Sequence, residues 1–350
     1  MELLDSPSEA AFRVEVRGWL ADHVPAEPLP SGDTAEGFAA HLDWERTLFE
    51  ARYAVVSWPE AYGGREATLW EWLIFEEEYY RAGAPQRVTQ NGIFLLAPTI
   101  FEYGTQEQQD RFLPRMASAD DLWCQGWSEP NAGSDLAAIT SKAVRDEAAG
   151  GWRLTGQKTW TTRGAFCTHL FGLFRTDPDQ QRHRGLTYFM VPLDAEGITV
   201  RGFTRLDGDE GFAEVFFEDA FVSDEWVLGG VDAGWSVAMS TTSSERGLTL
   251  RSPGRFMATA ERLVARAQEC PDLDPVLANG HRRELITAIG TGAGRITAVQ
   301  HHRDTRRAAL GGRALSVLVA VKVHDADQAT VNVYLIYGSS GHVIPDQREP

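Results

Sequence analysis

Apolar positions change their period twice along the chain. In residues 1–122 they recur at helical spacing. The run "SPSEAAFRVEVRGWLADHV" offers Ser6 and Ser8 as N-caps, with Glu9 three residues after Ser6 as in a capping box. Ala11, Phe12, Val14, Val16, Trp19 and Leu20 then approximate one apolar stripe. "ATLWEWLIFEEEYYRAGAP" predicts a longer helix stopped by Gly83 and Pro85, and "TQEQQDRFLPRMAS" a short one capped by Thr105. The intervening "SWPEAYGGRE" carries a Pro and a Gly pair and no period, so it reads as a loop.

Residues 123–230 switch to short runs rich in β-branched and aromatic side chains: "GWRLTGQKTWTT", "HLFGLFRTD", "GLTYFMVPL", "GITVRGFT" and "AEVFFEDAFV". Separated by Gly, Asp and Pro, they predict an antiparallel barrel or sandwich. From about Gly234 the period lengthens again. One helix is expected over "WSVAMSTTSSERGLTLRSPGRFMATAERLVARAQ", a second over 276–309 and a third over 313–336, after Gly311-Gly312. The expected organisation is therefore α+β: an N-terminal helical domain (1–122), a middle antiparallel β-barrel domain (123–230) and a C-terminal antiparallel helix bundle (231–350).

Composition narrows the partners more than the fold. The 350 residues carry a net charge of −17, which argues against nucleic-acid or anionic-membrane surfaces. Cys124, Cys167 and Cys270 form no CxxC, which suggests a reduced, cytoplasmic protein without a disulfide framework or zinc site. No segment approaches 18 consecutive apolar residues, and the N-terminus has no signal-length apolar run. His301-His302 are adjacent and cannot form an i, i+4 metal pair, so no metal is expected. The run Glu76-Glu77-Glu78 reads as a solvated helix face.

Three stretches carry candidate chemistry. In "WCQGWSEPNAGSD" (123–135), Gly126, Ser128, Gly133 and Ser134 flank a turn set by Pro130 and Asn131. Small residues there let backbone N–H groups and hydroxyls approach an anionic or carbonyl-rich ligand, and Trp127 offers a flat face. On spacing alone, a tight turn beside a core aromatic is the leading reading of the run. In "GQKTWTT", Trp160 and Thr162 share strand parity, so an aromatic face and a hydroxyl could hold a planar heterocycle. An ordinary half-buried strand looks the same. In "SSERG", Glu245 and Arg246 fall inside an otherwise small and apolar helix. There a desolvated carboxylate would have a raised pKa suited to a base, or would be paired with a neighbouring arginine.

Taken together and in this order, these stretches resemble the acyl-CoA dehydrogenase family. The resemblance also takes in "HRGLTYFMVPLDAEGITVRGF" and "EVFFEDAFV", "WPEAYGGRE" and "EYGTQEQQDRFLP" before them, and "GWSVAMSTTSSERG" after. The "WCQG-[aromatic]-SEP" form with "SSERG" is similar to the actinobacterial-type branch, whose members take bulky acyl chains and sometimes work as two-subunit assemblies. The resemblance implies FAD at the junction of the β domain and the helices. Gln125 to Ser134 match the flavin-binding strand and turn, with Gln125, Trp127, Ser128 and Gly133 toward the cofactor. Ser128 matches the position at the flavin ring, and Ser134 the one near the pyrophosphate and the pantetheine path. Trp160 matches the tryptophan beside the isoalloxazine and Thr162 the hydroxyl near N5. Gly338 and Gly341 in "IYGSSG" match the glycine motif that meets the FAD of a neighbouring subunit.

The implied reaction is α,β-dehydrogenation of an acyl thioester, carried by CoA or a carrier protein. A base removes the α-proton while the β-hydride moves to the flavin. Reoxidation is commonly by electron-transferring flavoprotein, and the assembly implied is a dimer or tetramer, homomeric or with a paralogous subunit. Most members place the base in a C-terminal "EGT" segment, absent before Pro350. A smaller set places it on the first bundle helix directly before an arginine, where Glu245-Arg246 stands, so Glu245 is the expected base and Arg246 a substrate contact. The departures also fit a non-catalytic partner subunit that completes a paralogue's site, or an oxygen-using relative of the same fold.

Overall fold

The computed structural model describes residues 5–245, 252, 254–259, 262, 315–322 and 332–339, with side chains up to Ser244 and at 252, 254–259 and 262. Helix α1 (Pro7–His23) starts as its sequence dictates. The Ser6 hydroxyl accepts from the Glu9 N–H at 3.3 Å, and the Glu9 carboxylate accepts from the Ser6 N–H at 2.6 Å. Val16 and Leu20 are its buried positions, but Val14 is 70% exposed and lies off the stripe. Helix α2 (Ala35–Glu50), not singled out by the apolar period, is capped by Thr34, whose hydroxyl accepts from the Gly37 N–H. Helix α3 (Leu69–Arg81) ends before Gly83, which takes the left-handed conformation expected past a helix terminus. A single π-helical turn (Asn91–Leu96) runs into α4 (Ala97–Tyr103), and α5 (Gln106–Ala117) opens with a capping box between Thr105 and Gln108.

The acidic run in α3 is a correction. Glu76, Glu77 and Glu78 are buried, not a solvated face. Glu78 sits among three guanidinium groups, with Arg17 at 2.8 Å and Arg13 and Arg81 at 3.0 Å, and Arg13 also reaches Glu77 at 2.9 Å. The arginines lie 60 or more residues away or on the next helical turn, so residue type alone did not reveal the partners.

All five expected strand runs are strands: β3 (Gly151–Thr162), β4 (His169–Arg175), β5 (Leu186–Pro192), β6 (Ile198–Phe203) and β7 (Phe212–Ser223). Shorter strands β1 (Trp123–Gly126), β2 (Lys142–Asp146) and β8 (Val227–Leu228) join them. The order is β6-β7-β3-β2-β4-β5-β8, with β1 beside β4. Most pairs are antiparallel, but β1 and β2 run parallel to β4. The two antiparallel halves join through the single pair Lys142–Arg175, and hydrogen bonds do not link β6 to β8. Buried Phe171, Phe174, Tyr188, Phe189 and Phe217 fill the core.

Helix α6 (Gly234–Glu245) begins the C-terminal region, and residues 254–259 are also helical. The expected helix over 276–309 lies outside the described residues. The expected helix over 313–336 is corrected: β9 (Leu315–Lys322) and β10 (Asn332–Ser339) form an antiparallel pair. Their sequences, "LSVLVAVK" and "NVYLIYGS", are dense in valine and aromatics that favour a pleated surface. The chain packs as two compact units: residues 23–72 and 84–245 form one, and 5–22, 73–83 and the described residues from 252 onward form the other. No described helix is long and apolar enough to cross a membrane.

Candidate active site

The two middle motifs are joined by a buried ion pair. The turn after β1 closes on itself, with the Glu129 N–H donating to the Ala132 carbonyl at 2.8 Å. The Thr159 N–H donates to the Ser128 carbonyl at 2.9 Å, which attaches the turn to β3. Behind this contact the Lys158 ammonium donates to Glu129 Oε1 at 2.8 Å and to the Leu173 carbonyl at 2.7 Å. Lys158 is fully buried. Glu129 also accepts from the Thr140 N–H and hydroxyl and from the Ser141 N–H. Burial by itself would raise the Glu129 carboxyl; the Lys158 charge and these donors bring it down to about 2. Neither residue was among the expected site residues. The signal was present as strand parity: Trp152, Leu154 and Lys158 share the inward side of β3, and an inward lysine requires a partner.

Beyond Lys158 the strand bulges. Pairing of β3 with β7 shifts register between Lys158 and Thr161, and Trp160 lies in the left-handed region at φ 56°. Arg163 is left-handed too, at φ 55°. Bulky non-glycine residues rarely adopt this conformation, so two within four residues mark a segment held by its surroundings. Trp160 is 60% exposed, Thr161 buried and Thr162 half-buried. Phe203 and Phe212 meet the Trp160 ring edge-on at centroid distances of 5.2 and 5.5 Å, which supports it upright at the surface.

The residues present fit a planar, acceptor-rich group such as a flavin. Gln125 Nε2, Trp127 Nε1 and Thr161 Oγ1 are among seven buried side-chain atoms with no hydrogen-bond partner among the described residues, together with those of Thr89, Trp123, Ser141 and Ser252. Natural proteins seldom leave such donors unmatched, and those of Gln125, Trp127 and Thr161 lie around the junction of β1 with β3. Gln125, Trp127, Ser128, Trp160 and Thr162 are thus brought to one region. Gly133 and Ser134 lie on the exposed arm of the turn, with open space beside Gly133. Gly338 pairs with Ser316 in the β9–β10 ladder, in the other compact unit. Arg246 and Gly341 lie outside the described residues. Among the described residues no group of His, Cys, Asp or Glu is arranged to hold a metal.

Helix α6 is anchored in the same unit as the β domain. Gly234 lies against the Thr187–Tyr188 backbone, where a Cβ would clash. Val237, Ala238 and Thr241 are fully buried, and the Thr241 hydroxyl is 2.9 Å from that of Thr99 and 3.2 Å from that of Tyr188. Glu245 is the last residue of this helix, four after Thr241 and seven after Ala238, so its backbone position continues the buried stripe. The π-helical turn at 91–96 packs against both β1 and α6 and connects the two parts. Such turns are frequent at functional sites.

Known proteins resemble this arrangement. Residues 6–120 match the family model "Acyl-CoA dehydrogenase, N-terminal domain" and residues 124–220 match "Acyl-CoA dehydrogenase, middle domain". The chain is 40% identical over 288 residues to "Acyl-CoA dehydrogenase IpdE1" of Mycobacterium tuberculosis, covering 80% of this chain and 73% of that one. It is 41% identical over 296 residues to the protein of the same name from Mycolicibacterium smegmatis, covering 80% and 74%. Among solved structures, the "Tcur3481-Tcur3483 steroid ACAD" superposes with a TM-score of 0.69 at 26% identity, covering 88% of this chain and 78% of that one. The ChsE4-ChsE5 complex from Mycobacterium tuberculosis gives 0.64 at 27% identity, covering 90% and 79%.

Proposed function

The chain belongs to the acyl-CoA dehydrogenase family, and from that premise we infer that it carries out FAD-dependent α,β-dehydrogenation of an acyl thioester. The observation that carries this reading is the joined wall: the Glu129–Lys158 pair holds the turn against the bulged strand that displays Trp160 and Thr162. Gln125, Trp127, Ser128, Trp160 and Thr162 hold the cofactor ring, Gly133 and Ser134 serve its phosphate side and the pantetheine path, and Gly338 and Gly341 meet a neighbouring subunit's cofactor. When bound, FAD supplies the acceptor for the β-hydride. Glu245, at the end of the anchored α6, removes the α-proton, and Arg246 contacts the substrate. Domain limits near 122 and 230 follow the change from helices to strands and back.

A ring-bearing acyl group is the substrate class we assign. Ser243 and Ser244 before Glu245 leave lateral room, and a structure similar to this chain is the Tcur3481-Tcur3483 steroid ACAD. Electron-transferring flavoprotein is the proposed acceptor. The test is anaerobic bleaching of the purified yellow protein across a panel of straight, branched and ring-bearing acyl-CoA thioesters. Glu245→Gln should slow bleaching by about 10²–10⁴-fold; equal rates would remove Glu245 from the base role, and preference for straight chains would remove the ring-bearing assignment.

A second reading has its own support, because two of the similar structures are the Tcur3481-Tcur3483 steroid ACAD and the ChsE4-ChsE5 complex. In that reading this chain completes a site with a paralogous subunit. Substoichiometric flavin in the chain expressed alone, restored on co-expression with a related chain, would favour it.

A further inference from the structure

Arg163 directly follows Thr162, and its side chain is almost fully buried although it carries a charge. Its Nε donates to Asp33 Oδ1 at 2.7 Å. The other oxygen of Asp33 receives Arg205 Nη1 at 2.8 Å, and Arg205 continues to Asp207 at 2.9 Å. One carboxylate therefore ties the end of β3 to the 205–211 loop, which also holds the backbone, since the Arg163 N–H donates to the Gly211 carbonyl at 2.9 Å. Gly211 lets the group pack closely: a Cβ there would stand 2.9 Å from Arg205 Nη1 and 3.1 Å from Asp33 Oδ2, so these side chains would have to shift. Asp33 is itself fixed, because it precedes the Thr34 cap of α2 and its N–H donates to the Ser31 hydroxyl. On the far side of Arg163, Phe166 packs against Phe38 of the same helix at 5.2 Å.

The strained segment Trp160–Arg163 is thus gripped at both ends, by Lys158–Glu129 before it and by Asp33 after it. Strain of this kind persists only where the surroundings over-determine it. A grip from the segment leading into α2 on the residue after Thr162 exceeds what joining two sheet strands requires, because β3 is already paired to β7 there through Thr162 and Phe212. We propose that Asp33 is a positioning residue: through Arg163 and Arg205 it sets the orientation in which Thr162 and Trp160 meet the cofactor ring. This rests on the flavin reading of the wall given above.

The test compares Asp33→Asn, Asp33→Glu and Arg163→Gly in the full chain. FAD affinity is read by fluorescence titration, together with the visible flavin spectrum, kcat and KM, and the melting temperature without flavin. Asp33→Asn should weaken FAD binding, alter the visible band and lower kcat by about 10–100-fold while KM changes about twofold or less. Asp33→Glu should recover the band and most of kcat. Arg163→Gly removes the grip and relieves the backbone strain, so it should lose the same kcat. Asp33→Asn with unchanged FAD affinity and spectrum would overturn the proposal, as would loss of kcat only in step with loss of melting temperature. Trp160→Phe separates the two readings. If it shifts FAD affinity and spectrum while Asp33→Asn does not, Asp33 alone is misassigned; if neither does, the flavin wall itself is wrong.

Discussion

Breaking the Glu129–Lys158 pair from one side should cost more than removing it altogether. In Lys158→Met, Glu129 keeps its bonds from Thr140 and Ser141 but loses the cation that offsets its burial. In Glu129→Gln, a fully buried ammonium is left with the Leu173 carbonyl alone. One-sided loss of a buried pair costs about 3–5 kcal/mol. A second route gives a similar size: lowering a carboxyl from 4.5 to about 2 corresponds to about 3 kcal/mol of native-state preference for its charged form. Burial opposes this by lowering the Lys158 ammonium, so the intact pair contributes far less net than either single loss removes. The double variant Glu129→Gln/Lys158→Met keeps one amide oxygen, for the Thr140 or the Ser141 N–H, and a side chain of similar volume in the lysine site, with no charge left buried. It should recover most of the loss. Urea unfolding of the flavin-free chain at pH 7, followed by tryptophan fluorescence, measures all four proteins. Additive single losses in the double variant would refute the reasoning, since an interacting pair requires a large coupling energy. The pH dependence has a fixed sign. Because the folded carboxyl lies below its unfolded value, its contribution is complete above about pH 4.5 and fades as pH falls toward 2; the double variant should lose that slope.

Other expectations follow from the same geometry. Glu78→Gln should destabilise by about 1–3 kcal/mol, because Arg13 and Arg17 lose the buried carboxylate that collects them while Arg13 keeps Asp5 and Glu77 and Arg17 reaches solvent; a melting temperature equal to wild type would count against this. Thr241→Val should cost about 1–3 kcal/mol by leaving the Thr99 and Tyr188 hydroxyls short of a partner, and hydrogen exchange should quicken first in α6. Gly156→Ala should destabilise strongly, since φ is 149° there and the new methyl would overlap Ser141; soluble protein with unchanged stability would refute this. Trp160→Ala should weaken FAD binding by about 0.5–1.5 kcal/mol while leaving the flavin-free melting temperature unchanged, because the exposed ring supports little of the fold.

Element type was legible wherever the period was sustained and the ends were marked. The caps at Ser6 and Thr105, the stop at Gly83 and the five long strand runs all follow from local chemistry acting within a few residues. The 313–336 region was misread because a short apolar run does not distinguish strand from helix by period alone, and its valines and aromatics were the better guide. The site motifs were visible as compositions: Trp160 and Thr162 on one strand, Ser128 and Gly133 on one turn. Each had an ordinary structural reading by itself, and order along the chain supplied what spacing could not.

Partnership was decided by the tertiary structure. Glu129 and Lys158 are 29 positions apart, Asp33 and Arg163 are 130 apart, and Glu78 collects Arg13 and Arg17 from 61 or more residues away. A charge in a sequence carries no label for burial, because its cost depends on which opposite charge the folded chain delivers to it. Likewise the left-handed turns at Trp160 and Arg163 could not be read from residue type, since both residues disfavour that conformation. They exist because strands on one side and α2 on the other enforce them. The sequence by itself determined which elements form and which motifs they carry; the tertiary structure decided which charges meet, which backbone is strained, and therefore where the wall of the site stands.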